Sequence, residues 1–474
     1  MVFSSQIFLF LFLPLFLALY YLVPDRFRSA LILTFSIVFY GWWQPEFLAL
    51  LFGCLVVSYT AAWGVIRAST EKWRFRSMAI GVTLDLAALA WFKYANFGVE
   101  SFHAAMQTFG IEPSPWTDII LPIGLSFYIF QAISYIVDVY RGDAEPTKNF
   151  IDFAAFIAMF PQLVAGPVLR YQDVADQFRF RTHSLEKFSA GSVRFMVGFT
   201  KKVLIADSVA PLVTAAFSTS SPNFGDAWLG LLAYTIQIYF DFSGYSDMAI
   251  GLGMMIGFVF PENFNDPYIS RSITEFWRRW HISLSTWLRE YLYIPLGGNR
   301  KGLRRTYVNL LITMVLGGLW HGANWTFIAW GAWHGGLLAY EKWRLQKRGG
   351  VAPAARWWSM PRTMFFVMIG WMIFRAPDLA TASRMYKALF GLSGFGFSGE
   401  LAWQITPDRL TMVVAGLVLV YTAPAWRRIL SEQVLPTTIH RIAVYWTVLL
   451  PPVFFWALAT LNAQSFSPFL YYQF

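Results

Sequence analysis

The sequence predicts an all-α, polytopic membrane protein, and three observations support this prediction. Of its 474 residues, 57% are hydrophobic and only 14% are charged, whereas soluble domains usually contain about 25% charged residues. Aromatic residues make up 19% of the chain, which is too many for a disordered polymer. The apolar residues also form runs that could cross a hydrocarbon layer of about 30 Å as helices.

The apolar runs predict up to twelve membrane-crossing helices, each bounded by charged residues or by Pro and Gly. The first run, 4–23, lacks the basic region and the small-residue cleavage site of a signal peptide, so we expect it to stay attached as a membrane helix. The other runs are 30–43, 47–66, 78–94, 119–140, 227–241, 245–260, 307–320, 325–340, 363–374, 410–423 and 442–461.

Two further segments do not fit a simple crossing. Residues 150–169 are apolar but contain Pro161, Gly166 and Pro167. This pattern suits a broken or re-entrant helix that packs against protein rather than lipid. Residues 191–217 contain three basic residues and one acid, so we expect an interfacial or internal position for them.

The charges between the apolar runs predict the orientation in the membrane. Basic residues outnumber acidic ones in residues 67–76, 271–305 and 341–348, so these loops should face the cytoplasm. Residues 95–118 contain no Lys or Arg, and residues 462–474 contain no charge, so both should face outward. Ten crossings with both termini outside satisfy this pattern, within a range of ten to twelve. Residues 1–474 are therefore expected to form a single integral-membrane domain.

The composition and the missing motifs exclude several functions. A single cysteine, Cys54, cannot form a disulfide framework or a cysteine metal site within one chain. The net charge of +10 reports membrane orientation, so no nucleic-acid partner is expected. The chain has no Gly-x-Ser-x-Gly elbow, Walker loop or His-Glu-x-x-His pair, and no Gly-x-Gly-x-x-Gly that follows a predicted strand. Ordinary hydrolases, ATP-driven pumps and zinc proteases are therefore disfavoured.

His321 is the strongest candidate for a catalytic residue. It lies at or near membrane depth, where an ionisable side chain needs a partner or a water-filled cavity. Three nearby glycines and Asn324 predict a helix break beside a cavity. An imidazole in such a place could act as a general base near neutral pH. The alternative is a core histidine bonded to a backbone carbonyl, with the glycines serving only helix packing.

His281 lies within residues 273–293, a stretch rich in tryptophan and basic residues. The basic residues proposed to bind an anionic donor are Arg278, Arg279 and Arg289. One interpretation is an amphipathic helix at the cytoplasmic interface that binds lipid head groups. The other is a segment that folds inward, brings His281 toward His321 and receives an acyl donor.

Other polar residues in apolar sequence have weaker assignments. Asp241 and Asp247 are six residues apart and should not share a helical face, so an aspartyl dyad is poorly supported. Either could orient a histidine or line a polar path, or could instead be bonded to a helix end or an arginine. His334 lies 13 residues after His321, a rotation of about 220° on an unbroken helix, so we treat it as structural. No ligand spacing favours a metal site that combines these two histidines with His281.

Long motifs carry a resemblance to a known family over almost the whole chain. They include LPIGLSF at 121–127 and GGLWHGAN at 317–324. The others are residues 1–5, 91–97, 165–170, 241–251 and 274–293. The sequence resembles the membrane-bound O-acyltransferases, in particular their bacterial alginate O-acetyltransferase branch. The resemblance implies a ring of about ten to twelve tilted helices, with re-entrant or interfacial helices, around a central tunnel.

The resemblance also implies roles for individual residues. The histidine that matches His321 is the catalytic residue of this family, and the polar residue that matches His281 is its companion at the tunnel. Basic residues of the 271–305 region would hold the phosphates of the donor. The residues expected to support the tunnel are Asp241, Asp247, Trp320 and Asn324.

The implied activity is an O-acetyltransferase that moves acetyl groups from a cytoplasmic donor across the bacterial inner membrane to a secreted polysaccharide such as alginate or cellulose. Acetyl-CoA or another acyl thioester would be the donor substrate, with no permanently bound cofactor. The expected partners are the lipid bilayer, a periplasmic acetyltransferase protein and the polysaccharide, as direct or indirect acceptor. The alternatives are a transporter or channel and a non-catalytic scaffold of a polysaccharide secretion complex.

Overall fold

The computed structural model describes residues 1–112, 114–164, 166–351, 354, 356–431 and 450–462. Every regular element within these residues is a helix, which confirms the predicted all-α class. The chain forms two compact units: one consists of Met1–Ser192 and Ala249–Pro261, the other of Val193–Met248 and Glu262–Phe474.

Within its described residues, the first unit contains eight complete α-helices. In chain order they are α1 (Leu13–Leu22), α2 (Arg28–Gly41), α3 (Phe47–Arg67), α4 (Glu71–Thr108), α5 (Leu125–Arg141), α6 (Phe150–Ala158), α7 (Phe160–Leu163) and α8 (Tyr171–Arg179). Helices α3, α4 and α5 pack against one another. Close packing of α3 and α4 depends on Gly81, because a Cβ atom there would collide with Ala61. A buried hydrogen bond of 2.8 Å from Ser58 to Asp85 also joins α3 to α4.

The predicted break within residues 150–169 is confirmed. Helix α6 ends at Ala158, and Met159 has an extended ψ of 113° before α7 begins at Phe160. Residues 153–164 are all buried. This segment therefore packs against protein, as its proline and glycine content predicts; residue 165 lies outside the described residues.

Two helices contain the positions where one unit ends and the other begins. They are α9 (Leu185–Thr200) and α11 (Phe224–Met255). The second unit further contains α10 (Asp207–Ser218), α12 (Ile273–Arg279), α13 (Ile282–Leu288), α14 (Leu303–His321), α15 (Trp325–Lys347), α16 (Ser359–Arg375), α17 (Leu379–Leu389), α18 (Gly399–Ala402) and α19 (Pro407–Ser431). A π-helical turn, Lys201–Ala206, joins α9 to α10, and its residues 202–206 are buried. Residues 191–217 thus take an internal position, one of the two places predicted for them.

The prediction of separate helices over 227–241 and 245–260 is wrong, because α11 is one helix of 32 residues. Gly244 lies between the two runs but does not end the helix. A Cβ atom on Gly244 would lie 2.6 Å from the carbonyl oxygen of Gly198. The glycine therefore serves the close approach of α9 to α11 and not a chain break.

Among the described residues, three helices are long and apolar enough to cross a membrane. They are Phe47–Arg67, Glu71–Thr108 and Pro407–Ala425, and two shorter apolar helices are Phe8–Leu22 and Leu450–Asn462. Helix α4 extends well beyond the predicted run 78–94, and its 38 residues are about 57 Å long at 1.5 Å per residue. Residues 442–449 of the predicted run 442–461 lie outside the described residues, and so does the tail after residue 462. The number of crossings, ten to twelve, remains a prediction.

Helices α14 and α15 form a tight antiparallel hairpin in the second unit. The repeated Gly-x-Trp-His-Gly sequence explains this packing. A Cβ atom on Gly318 would collide with the carbonyl oxygen of Phe327, and one on Gly331 with that of Met314. The two backbones therefore touch at these glycines, and the hairpin holds the end of α14 in a fixed place.

Candidate functional site

His321 is the last residue of α14, at the predicted helix break. Gly322 has the extended backbone of a helix C-cap, and α15 begins at Trp325. His321 is 6% exposed, and its imidazole packs edge-on against aromatic rings that include those of Trp330 and Phe374. The centroid distances are 5.2 Å to Trp330 and 5.1 Å to Phe374. The aromatic rings therefore restrict the orientation of the imidazole.

His281 lies in the break between α12 and α13, with a left-handed backbone (φ 43°, ψ 55°). Few residues other than glycine adopt this conformation, and it is costly unless the surroundings impose it. Asn263 supplies that support. Its carbonyl oxygen accepts a bond of 2.9 Å from the Ile282 amide. Its side-chain oxygen accepts bonds from the amide (3.3 Å) and the hydroxyl (2.9 Å) of Ser283.

The two histidines lie side by side although 40 residues separate them in the chain. Their ring centroids are 6.3 Å apart. Trp320 contacts both rings, at 5.9 Å from His281 and 5.1 Å from His321, and Phe242 packs against His281 at 4.6 Å. The structure thus brings the two imidazoles together, as the inward-folding interpretation of residues 273–293 predicts, although only His321 lines the adjoining cavity.

A cavity of about 400 Å³ leads to His321. Its lining includes Arg278 and Arg289, which are both exposed, and the buried His321. The cavity therefore extends from cationic side chains at the surface of this unit to the imidazole. Its other lining residues are Thr274, Trp277, Ile282, Leu284, Ser285, Thr286, Leu288, Tyr293, Leu310, Thr313, Met314, Gly317, Trp330 and Leu338.

The three predicted donor-binding arginines have different surroundings. Arg278 and Arg289 line the cavity. Arg279 does not: it forms an ion pair of 2.9 Å with Glu275 and donates to the carbonyl oxygen of Asn265 at 3.1 Å. The structure thus brings two of the three cations to the mouth of the cavity.

Asp241 and Asp247 are absent from the cavity lining and form ion pairs with the π-helical turn instead. The ammonium of Lys202 is 2.9 Å from Asp207 and 3.0 Å from Asp241. Asp247 is 2.6 Å from Lys201 and 2.9 Å from Arg194. These ion pairs join α11 to α9 and to the π-helical turn. The lining of this cavity gives no support to the prediction that Asp241 or Asp247 lines a polar path.

Asn324 and His334 stabilise the surroundings of the site. Asn324 caps α15, with its oxygen 3.0 Å from the Thr326 amide, and its side-chain amide donates to the carbonyl oxygen of Pro377. His334 is fully buried, and its Nδ1 accepts a bond from Trp277. The parts of the chain that the structure describes contain no group of three His, Cys, Asp or Glu residues suited to a metal ion.

Three features of the site were not predicted from the sequence. Asn263 has no motif of its own, and Leu288 and Phe374 look like ordinary apolar residues. The adjacent glycines at 317 and 318 predict a close approach to α14. The sequence does not show that Gly317 faces Leu288 whereas Gly318 faces the backbone of Phe327.

Comparison with known proteins shows the family to which the chain belongs. The profile of the MBOAT, membrane-bound O-acyltransferase family, matches residues 146–348, which include both histidines and the residues that line the cavity. The chain is 52% identical, over all of both chains, to a protein of Azotobacter vinelandii named probable alginate O-acetylase. The same name and identity apply to a Pseudomonas putida protein, again over both full lengths. A peptidoglycan O-acetyltransferase of Helicobacter pylori is 33% identical to this chain, over 83% of the length of this chain and 80% of the length of the relative.

The all-α fold and these similarities define a multi-pass membrane acyltransferase. The chain belongs to the membrane-bound O-acyltransferase family.

Proposed function

We propose that this protein is an O-acetyltransferase of the bacterial inner membrane that transfers acetyl groups from a cytoplasmic thioester toward a secreted polysaccharide, alginate or a related polymer. The observation that carries the proposal is the cavity between exposed Arg278 and Arg289 and buried His321. The names of the relatives from A. vinelandii and P. putida support alginate as the polymer.

The cationic mouth and the buried histidine fit the two ends of an acyl thioester such as acetyl-CoA. Arg278 and Arg289 would bind the phosphates of the donor by charge-assisted hydrogen bonds. The uncharged acyl end would enter the cavity and reach His321. The donor is a substrate that leaves after each turnover, so the proposal needs no permanently bound cofactor.

In the proposed reaction the acceptor hydroxyl adds to the thioester carbonyl and the thiolate is then eliminated. His321 takes the proton of the acceptor hydroxyl while the hydroxyl oxygen forms a bond to the carbonyl carbon, giving a tetrahedral intermediate. Collapse of this intermediate breaks the carbon–sulfur bond, and His321 returns the proton to the departing thiolate. His281 would act as the companion of His321 from the packed side of the site, since its ring lies 6.3 Å from that of His321 and both rings contact Trp320.

The acceptor reaches His321 from the outer side of the membrane in this proposal. Because the acyl group would be transferred within the protein, the charged donor would not have to cross the lipid. The acceptor is the polysaccharide itself or a periplasmic acetyltransferase partner that passes the acetyl group on.

Replacement of His321 by Ala, with polysaccharide acetylation measured in cells, tests the proposal. We expect acetylation to fall at least 100-fold at unchanged membrane abundance, within the range of about 10² to 10⁴ that general base catalysis provides. His103→Ala, which changes a histidine at the end of α4 outside the cavity lining, is the matched control. Full acetylation by His321→Ala would instead favour a transporter or a scaffold.

A further inference from the structure

We propose that Gly317 and Leu288 form the acyl-binding end of the cavity and limit the transferred group to a short acyl chain. This inference rests on the proposed function. It adds to that function the residues that set the size of the acyl group.

Gly317 lies on the same face of α14 as His321. The two residues are four positions apart, close to one helical turn, and both line the cavity. Met314, three positions before Gly317, lines it as well. One face of α14 thus presents Met314, Gly317 and His321 to the cavity in this order. The missing side chain of Gly317 leaves a gap one helical turn before His321, the proposed base.

The space beside Gly317 is bounded by one flexible side chain. A Cβ atom at Gly317 would lie 3.1 Å from Cδ1 of Leu288, the one atom of the described residues within 4 Å of it outside its own stretch of helix. Adjacent Gly318 differs, because its Cβ would collide with the backbone of Phe327. Helix packing therefore explains Gly318 but does not explain Gly317, whose missing side chain leaves room in the cavity.

The chemistry of this end of the cavity matches a small apolar group. Leu288 and Met314 are each 8% exposed and contribute apolar side chains to the cavity lining, with Leu288 next to the gap at Gly317. The charged residues of the lining, Arg278 and Arg289, are exposed at its mouth. An acyl methyl group fits at the apolar end with the thioester carbonyl toward His321, whereas each further methylene must displace the Leu288 side chain.

The test measures the ratio of butyryl to acetyl transfer in inside-out vesicles from cells that carry the complete polysaccharide secretion apparatus. The vesicles receive labelled acetyl-CoA or butyryl-CoA, and label in the isolated polysaccharide is counted. Because a pocket discriminates one methylene by about 10-fold or more, Leu288→Ala should raise the ratio at least 10-fold. Gly317→Ala should lower both rates and the ratio. The ratio does not depend on how much protein folds.

Gly336→Ala is the matched control, because a Cβ atom at Gly336 on α15 would meet no atom of the described residues within 4 Å; its ratio should equal that of the wild type. If Leu288→Ala is inactive, Leu288→Val should show a smaller rise in the ratio. Wild-type transfer from acetyl-CoA with the same ratio in the Leu288 variants would overturn this inference alone. No transfer by the wild type from either thioester would overturn the proposed donor and the inference with it.

Discussion

The indole nitrogen of Trp277 donates a hydrogen bond to Nδ1 of His334 at 3.4 Å, and the two rings meet edge to face at 5.3 Å. Trp277 lines the cavity that leads to His321, and His334 does not. On the other side, Nε2 of His334 would lie 2.6 Å from a Cβ atom on Gly370. A fully buried histidine thus fixes the position of one wall of the cavity.

His334→Ala should therefore weaken binding of the donor without abolishing the acyl-transfer step. Loss of the ring frees Trp277 and leaves a void in the packing, for which we expect a cost of about 2 kcal/mol in unfolding free energy. The KM for the thioester should rise about tenfold, with a smaller change in kcat. Steady-state kinetics with varied acetyl-CoA would measure both constants. A loss confined to kcat would contradict a positioning role.

The buried ion pairs of Lys202 predict a strong dependence of stability on this side chain. Lys202→Met leaves Asp207 and Asp241 without their shared cation, and removal of one partner from a buried ion pair costs about 3 to 5 kcal/mol. We expect a clear fall in thermal unfolding temperature in detergent. Glu262→Gln is the control, because its ion pair with Arg194 involves a side chain that is 58% exposed. Equal shifts for both variants would rule out this account.

The α14–α15 hairpin predicts opposite outcomes for two glycine variants. Gly318→Ala forces a Cβ atom into the carbonyl group of Phe327, and a backbone atom cannot move aside as a side chain can. The protein should lose most of its folded yield in membranes, measured by fluorescence-detected size exclusion. Gly336→Ala should keep a normal yield. A normal yield of Gly318→Ala would show that the hairpin tolerates a wider spacing.

Asn263 and Ser283 should show graded effects on catalysis, because they hold the backbone next to His281. Asn263→Ala removes both bonds to Ser283, whereas Ser283→Ala removes the hydroxyl bond and keeps the amide bond. A displacement of about 1 Å can cost 100-fold in rate. We expect kcat to fall by about that factor in Asn263→Ala and by less in Ser283→Ala, at equal protein abundance. The reverse order of effects would contradict the support assigned to Asn263.

Much of the fold and part of the site follow from the sequence. The break after His321 is predictable because glycine and an N-capping asparagine follow it within three residues. The same kind of reasoning fails at Gly244, where the glycine serves contact with Gly198 across two helices. A glycine ends a helix or packs against a neighbour according to tertiary contacts, and local sequence does not contain them.

The sequence suggests the pairing of His281 with His321, but spacing alone does not determine it. The pairing depends on a left-handed backbone at a residue other than glycine and on hydrogen bonds that Asn263, 18 residues earlier in the chain, accepts from Ile282 and Ser283. The partners of Asp241 and Asp247 were also hidden, because Lys201 and Lys202 reach them from a π-helical turn. Pairs of this kind depend on helix register, which apolar periodicity does not define.

The central claim is that the imidazole of His321 moves the proton during acyl transfer. The most direct measurement is single-turnover transfer of labelled acetyl groups from acetyl-CoA in native membrane vesicles, compared for His321→Ala and the wild type together with acetyl-CoA binding. We expect binding of acetyl-CoA to change less than about twofold and the transfer rate to fall by at least about 100-fold. Transfer by His321→Ala at the wild-type rate would contradict the claim.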